Sequence, residues 1–350
     1  MWIQNKIFHE DLEYISNVSF IPWQKLKGKT ILVTGATGLI GSTIINSLIY
    51  VNSIKKLDLK VLALIRNKDK AEKMFCNQLN YSNALRFIIG SVENLPVIDD
   101  KINYIIHGAS PTASNFFINS PVETIQINVN GTNNLLKLAK EKKVSSFLFL
   151  SSMEVYGSPT TDQIIHESQG TTIDTMIVRS CYPEAKRLCE NLCISYSSEY
   201  HIPTNVIRLA QTFGPGVSKD DKRVFAQFAR CVIENKDIIL LTSGKSKRCY
   251  LYTADAATAI LTVLLNANSG EAYNVANSMT YCSIIDMARM VAKDLAHDKI
   301  NIKFDINANE QKKFPPPHHL HLDINKILSL GWRPSRNLTA MYQRMIEEMK

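Results

Sequence analysis

The chain has 350 residues, is 45% apolar and 21% charged, and holds 14 glycines and 12 prolines. That composition excludes a disordered, collagenous or low-complexity chain, and the length suits one large α/β unit with a smaller partner. The net charge of +8 would allow nucleic acid, an anionic surface or an anionic small substrate. Its basic clusters (Lys140, Lys142, Lys143; Lys245, Lys247, Arg248) are short and carry no interleaved aromatics, so neither nucleic acid nor a membrane is expected as a partner. No apolar run reaches the ~18–20 residues of a membrane span, and residues 1–29 lack the basic start and apolar core of a secretory signal. The seven cysteines form no CxxC pair and read as buried, reduced thiols. A soluble, cytoplasmic protein with no metal site is the expectation.

After an N-terminal extension (1–28), Thr30–Thr34 reads as a buried strand and Leu39–Tyr50 as a helix. Lys60–Ile65 is a second strand, followed by a charged helix, Lys68–Phe75. Arg86–Ile89 and Tyr104–His107 are short strands, and the next helix runs from about Val122 to Lys143. Ser146–Leu150 is a strand, Tyr182–Tyr200 a long helix and Thr204–Arg208 a strand again. Beyond Gly214-Pro215-Gly216 the pattern predicts a helix at Val224–Glu234, a strand at Ile238–Leu241, an apolar helix at Thr253–Leu265 and a returning strand at Ala272–Val275. Ile284–Leu295 and Met341–Met349 read as helices, and Pro315-Pro316-Pro317 as an extended segment or loop. Continuous apolar strands separated by helices predict a parallel sheet covered on both faces, the doubly wound α/β (Rossmann) fold. Residues 29–210 would build it, with 251–276 returning to it, while 211–250 and 277–350 would form a smaller C-terminal substrate-binding lobe.

Directly after the first strand comes Gly35-Ala36-Thr37-Gly38-Leu39-Ile40-Gly41. The first glycine suits a tight turn, the second a close backbone approach to a pyrophosphate, and the third close packing of helix on strand. The helix N-terminus then offers free N–H groups to the phosphates. Between an apolar strand and an apolar helix, this pattern predicts dinucleotide binding. The second strand ends at Arg66-Asn67, where NAD-preferring sites usually carry an acid for the ribose. Arg66 could instead pair with a 2′-phosphate, leaning towards NADP, or stack on the adenine or lie on the surface.

Tyr182 and Lys186, at i and i+4, share one helix face. An ammonium beside a phenol favours the phenolate, so Tyr182 is expected to have a lowered pKa and to take a proton from an alcohol. Ser151, Ser152 and Glu154 follow the strand Ser146–Leu150, and Ala109 and Ser110 follow Tyr104–His107. Ligands of a doubly wound sheet bind at these carboxyl ends. His107 itself reads as a satisfied strand-end histidine.

The stretches GATGLIG, HGASP, NVNGT, SSMEVYG, RSCYPEAKR and RLAQTFGPG together resemble the extended short-chain dehydrogenase/reductases, in their nucleotide-sugar epimerase/dehydratase branch. EVYG and RSCY–K are most similar to UDP-glucuronate decarboxylases and dTDP-glucose 4,6-dehydratases. The resemblance implies a homodimeric, NAD(P)-dependent enzyme on a nucleotide-diphosphate sugar, in the supply of surface-polysaccharide precursors. Oxidation at sugar C4 would open epimerisation, dehydration or decarboxylation. Tyr182 would be the base, Lys186 would hold the nicotinamide ribose, and Ser151 or Ser152 would bond the reacting oxygen. Glu154 would handle the C5 proton; Ser110, Asn128, Gln211 and Arg248 would serve the substrate, Arg248 on its diphosphate. Met153 departs from the pattern, standing where dehydratases carry an aspartic acid and decarboxylases a serine, and a thioether cannot protonate a departing C6 hydroxyl. His318, His319 and His321 stand near Asp323, where decarboxylases carry an arginine. An NADPH-dependent reductase of a nucleotide-linked keto sugar and a non-catalytic dinucleotide-binding scaffold are the alternatives.

Overall fold

Strands that are apolar at almost every position must be hidden on both faces, and the computed structural model, which describes residues 5–307 and 317–350, hides them under helices. The strands in chain order are β1 (Thr30–Thr34), β2 (Lys60–Ile65), β3 (Leu85–Ile89), β4 (Tyr104–His107), β5 (Ser146–Ser152), β6 (Ile164–Ile165) and β7 (Thr204–Leu209). After them come β8 (Gln211–Phe213), β9 (Ile238–Leu240), β10 (Lys247–Tyr252), β11 (Glu271–Val275), β12 (Asn277–Ser283), β13 (Ile302–Phe304) and β14 (His319–Leu322). Seven of them form one sheet in the order β11-β7-β5-β4-β1-β2-β3, with every neighbouring pair parallel. The chain moves outward from β1 in one direction and then restarts at β4 in the other. The carboxyl ends of β1 and β4 therefore border the switch point where such sheets hold ligands.

The helices are α1 (Lys6–Asn17), α2 (Leu39–Lys55), α3 (Lys68–Met74), α4 (Cys76–Tyr81), α5 (Ser114–Asn119), α6 (Pro121–Lys142) and α7 (Cys181–Tyr200). They continue with α8 (Val224–Glu234), α9 (Thr253–Asn266), α10 (Ile284–Met290), α11 (Asn325–Leu328) and α12 (Leu338–Met349). Alternation along each strand divides the core. In β1, Ile31 and Val33 join the cluster under α2 and α9, while Leu32 joins the one under α6 and α7. In β5, Leu148 and Leu150 take the first face, and Phe147 and Phe149 the second.

The N-terminal extension holds a helix that the sequence reading missed. Asn5 caps α1 by accepting from the Phe8 N–H, and Ile7, Leu12 and Ile15 are buried against α2 and α9. Arg344 of α12 donates to Glu10, to Asp11 and to the Ile7 carbonyl, tying the last helix to the first. Burial pushes the Asp11 carboxyl up to about 6, although Arg344 and Tyr252 pull the other way.

A second sheet runs β12-β10-β14-β6, with β8 also paired to β10, and β9 pairs with β13. The expected helix 284–295 is α10 followed by a π-type turn at Val291–Leu295. Pro315 and Pro316 lie outside the described residues. All seven cysteines are free; Cys181, Cys189, Cys193 and Cys249 are buried, whereas Cys76 is exposed, contrary to expectation. Among the described residues no helix is long and apolar enough to cross a membrane, and no cluster of candidate metal ligands occurs.

Candidate active site

The turn after β1 is built around two glycines that nothing larger can replace. Gly35 has φ +69°, and a Cβ there would lie 2.6 Å from the Gly108 carbonyl oxygen. A Cβ on Gly41 would lie 2.2 Å from the Gly35 oxygen, so its absence lets α2 settle on the turn. Gly38 is exposed at the cap of α2 and no side chain bonds the helix end, which leaves the first N–H groups free for an anion. Thr37, Leu39 and Ile40 are half-buried beside it. Arg66 is exposed at the end of β2, and Asn67 is used to cap α3, so neither position carries a ribose-binding acid.

Across the turn, the Ala109 N–H donates to Thr34 Oγ1 at 3.1 Å, and Thr34 Oγ1 lies 2.8 Å from His107 Nδ1. His107 Nε2 lies 3.1 Å from Thr132 Oγ1. Burial and the Lys186 charge press this histidine down to about 3, so it is a neutral strut joining β1, β4 and α6. That agrees with the structural reading of His107.

Tyr182 stands in the first turn of α7, buried, with its ring stacked on Phe117 at 4.3 Å and 16°. Ser152 lies at the phenol, and its hydrogen bond draws the Tyr182 pKa down, but burial and the Glu154 charge outweigh it. The phenol is therefore raised above its ordinary value, not lowered as its spacing from Lys186 suggested. Lys186 points under the end of β5, where Nζ donates to the Leu150 carbonyl at 2.9 Å and lies 4.6 Å from the Phe149 centroid. Burial lowers its pKa to about 8. The lysine thus binds the strand end, 5.8 Å from the Tyr182 ring centroid, and burial of the phenol outweighs it.

Two expected site residues face elsewhere. Ser151 shares the Phe147–Phe149 face of β5 and donates to Glu190 of α7 at 2.6 Å, so only Ser152 reaches the tyrosine. Glu190 also takes the Arg208 guanidinium at 2.7 Å, and Arg208 in turn donates to the Tyr156 hydroxyl. Asn128 is buried, donating to the Thr124 carbonyl and accepting from Ser110 Oγ at 2.9 Å. It orders the loop after β4 and does not open onto the cleft. Met153 is buried as well, while Glu154 is part-exposed.

Sequence reasoning missed Arg179 and Phe117. Arg179 Nη2 donates to Glu154 Oε2 at 2.7 Å, with both side chains about one-third exposed. The RSCY spacing places an arginine three residues before the tyrosine, and that was the available signal. In the second sheet, Arg248 donates to Gln211 Oε1 at 3.3 Å and lies 3.0 Å from His318 Nε2, while its buried Nε has no hydrogen-bond partner among the described residues. Gln211 and Arg248 therefore do come together, with His318 as an added member.

Residues 31–276 match the model of the NAD dependent epimerase/dehydratase family. UDP-glucuronic acid decarboxylase 6 of Arabidopsis thaliana is 28% identical over 324 residues, covering 91% of this chain and 88% of that protein. UDP-glucuronic acid decarboxylase 1 of Xenopus tropicalis is 28% identical over 307 residues, covering 87% and 68% respectively. Among solved structures, UDP-glucuronic acid 4-epimerase from Bacillus cereus, in complex with UDP-glucuronic acid and NAD, matches with a TM-score of 0.75 and 21% identity, covering 91% of this chain and 98% of that one. DesIV, a dTDP-glucose 4,6-dehydratase from Streptomyces venezuelae with NAD and TYD bound, matches with a TM-score of 0.73 and 20% identity over 91% and 96% of the two chains. These structural matches establish the doubly wound fold.

Proposed function

Because the chain belongs to the NAD-dependent epimerase/dehydratase family, we propose that it oxidises C4 of a nucleotide-diphosphate sugar and that its net reaction is decarboxylation of a nucleotide-linked hexuronate. The observation that carries this reading is the convergence of Tyr182, Ser152 and Glu154 at the carboxyl end of β5, with Lys186 one helical turn on. The residues present fit the cofactor: the Gly35–Gly108 approach and the open α2 N-terminus make a cradle that any Cβ would fill. When bound, NAD accepts a hydride from C4 and returns it.

Tyr182 takes the C4 hydroxyl proton, with Ser152 bonding the same oxygen, and Lys186 holds the ribose beside it. A C4 ketone makes the C6 carboxylate a β-keto acid, so CO₂ leaves and its bonding electrons pass into a C4–C5 enolate. The Glu154 carboxylate relays a proton from water to C5, and Tyr182 gives its proton back to the C4 oxygen. Methionine at position 153 supplies no acid for a 4,6-dehydration at C6, which weighs against elimination. The two curated relatives act, by their names, on UDP-glucuronic acid. Arg248, Gln211 and His318 would grip the diphosphate, with residues 211–250 and 277–350 as the substrate lobe. Ser110 would line the cleft. The exposed Val122, Ile125, Leu188 and Ile194 of α6 and α7 would supply a homodimer face.

Arg66, with no acid beside it, favours NADP and keeps a second reading alive, reduction of a keto sugar by NADPH. Incubation with UDP-glucuronate, UDP-glucose and dTDP-glucose, with NAD or NADPH, separates the chemistries by product mass. Loss of CO₂ from the hexuronate is expected. Loss of water, an unchanged mass with inverted C4, or a gain of two hydrogens would each replace this reading with another.

A further inference from the structure

We propose that Arg179 is a positioning residue that couples the two proton-handling groups of the site, Glu154 and Tyr182. The proposal deepens the function given above and rests on it for the roles of those two groups. Arg179 lies in the turn Val178–Ser180 that leads directly into α7, three residues ahead of Tyr182. Its guanidinium reaches Glu154 at 2.7 Å, and its carbon lies 4.5 Å from the Phe117 centroid and 5.9 Å from that of Tyr182. Phe117 closes the triangle by stacking on Tyr182 at 4.3 Å, and its own carbonyl accepts from Cys181 Sγ at 3.3 Å. One cation therefore fixes the carboxylate and borders the phenol.

The charges act on the phenol with opposite signs. Beyond the effect of burial, Glu154 raises the Tyr182 pKa and Arg179 lowers it by less, so Arg179 partly offsets the carboxylate. The other titratable groups near it are Lys186, Cys181 and Cys189 of α7; α5 contributes the uncharged Phe117 and β5 the Ser152 hydroxyl. With Arg179 removed, the phenol meets a bare carboxylate and ionises less readily. An ion pair exposed to this degree contributes little to folding, so its value lies in that field.

Two measurements on the full chain test this. In kcat/KM against pH with the nucleotide sugar that is turned over, Arg179→Gln should move the Tyr182 limb about one unit higher and lower the neutral-pH value about ten-fold. Arg179→Lys should restore most of it, and the Glu154→Gln/Arg179→Gln double variant should bring the limb back towards its natural position. The second measurement needs no substrate. Nitration of Tyr182 by tetranitromethane proceeds through the phenolate and is followed by peptide mass. It should slow several-fold in Arg179→Gln and recover in the double variant. A merely structural arginine would, when removed, open the stack and speed nitration. Superimposed pH profiles, faster nitration, or a double variant that nitrates as slowly as Arg179→Gln would overturn the proposal. If Arg179→Gln does not fold, Arg179→Met keeps the stem against Phe117 and carries the same expectations. Should no nucleotide sugar react, the function fails while nitration still decides Arg179.

Discussion

Lys186→Met should make the cofactor-free protein more stable at neutral pH while removing its activity. The Lys186 ammonium is buried at 2% exposure and has three N–H donors, and its hydrogen bond to the protein is the one to the Leu150 carbonyl at 2.9 Å. Its pKa falls from 10.5 to about 8 because burial penalises the charge more than Glu190 and the neighbouring thiols favour it. That shift corresponds to roughly 3 kcal/mol of destabilisation at pH 7. A methionine of similar length fills the same space beside Phe149 but leaves the carbonyl without its donor, which costs about 1 kcal/mol. The net gain is therefore about 2 kcal/mol, a rise of a few degrees in thermal midpoint for a chain of this size.

The pH dependence supplies the sharper check. Below pH 8 the lysine is protonated in both folded and unfolded chains, so the whole penalty is present. From about 8 to 10.5 the unfolded chain binds more protons than the folded one, and stability of the natural protein rises with pH. The advantage of Lys186→Met should be constant up to about pH 7.5 and then shrink across that window, because the other titrating groups cancel in the difference. Urea unfolding of both proteins from pH 6 to 10.5 measures it. A variant less stable at pH 7, or an advantage that does not change with pH, would refute the reasoning.

Tyr182→Phe should lower turnover about 10³-fold while cofactor affinity, measured by calorimetry, stays within a few-fold. Ser152→Ala should cut kcat about 10²-fold with little loss of stability, because its hydroxyl serves the phenol. Ser151→Ala should do the reverse, sparing kcat and losing about 1–2 kcal/mol in urea unfolding, because Glu190 loses a charge-assisted hydrogen bond. Equal effects of the two serine variants would contradict the facing derived from β5. Arg66→Glu should shift the ratio of NADP to NAD dissociation constants at least ten-fold towards NAD, and an unchanged ratio would remove Arg66 from the ribose site.

The large sheet was legible because its strands are local statements. TILVT and KVLALI are apolar at nearly every position, and their observed ends coincide with the predicted ones at Thr30–Thr34 and Lys60–Ile65. Such a run has no stable place other than a sheet covered twice. The second sheet was hard to read for the opposite reason. β8 and β14 are short, β10, β12 and β14 mix His, Lys, Arg and Asn with apolar residues, and all four are paired by partners far apart in the chain. α1 was missed because its amphipathic spacing of Ile7, Leu12 and Ile15 was weighed only against a secretory signal. In the site, spacing correctly put Tyr182 and Lys186 on one helix. It could not tell which of two adjacent serines faces the helix, since that depends on strand parity relative to α7. Nor could it tell that Arg179 closes on Glu154, a contact across 25 residues.

One face of α7 carries both the chemistry and the scaffold, and that explains why the charges of the site behave as they do. Tyr182, Lys186 and Glu190 follow at intervals of four, so each reaches the end of β5 at a different depth. At the first turn the phenol meets Ser152 and Phe117; one turn on, the ammonium takes the Leu150 carbonyl; one turn further, the carboxylate takes Ser151 and Arg208. The Glu190–Arg208 pair is matched charge for charge and holds the strand end. The middle group is left with a charge only weakly offset, so its pKa falls furthest towards working pH. A tyrosine that must change its protonation state each turnover sits where the surroundings can change, beside Glu154 and Arg179 at the part-exposed mouth. Replacements at Glu190 should therefore report on folding while those at Arg179 report on rate.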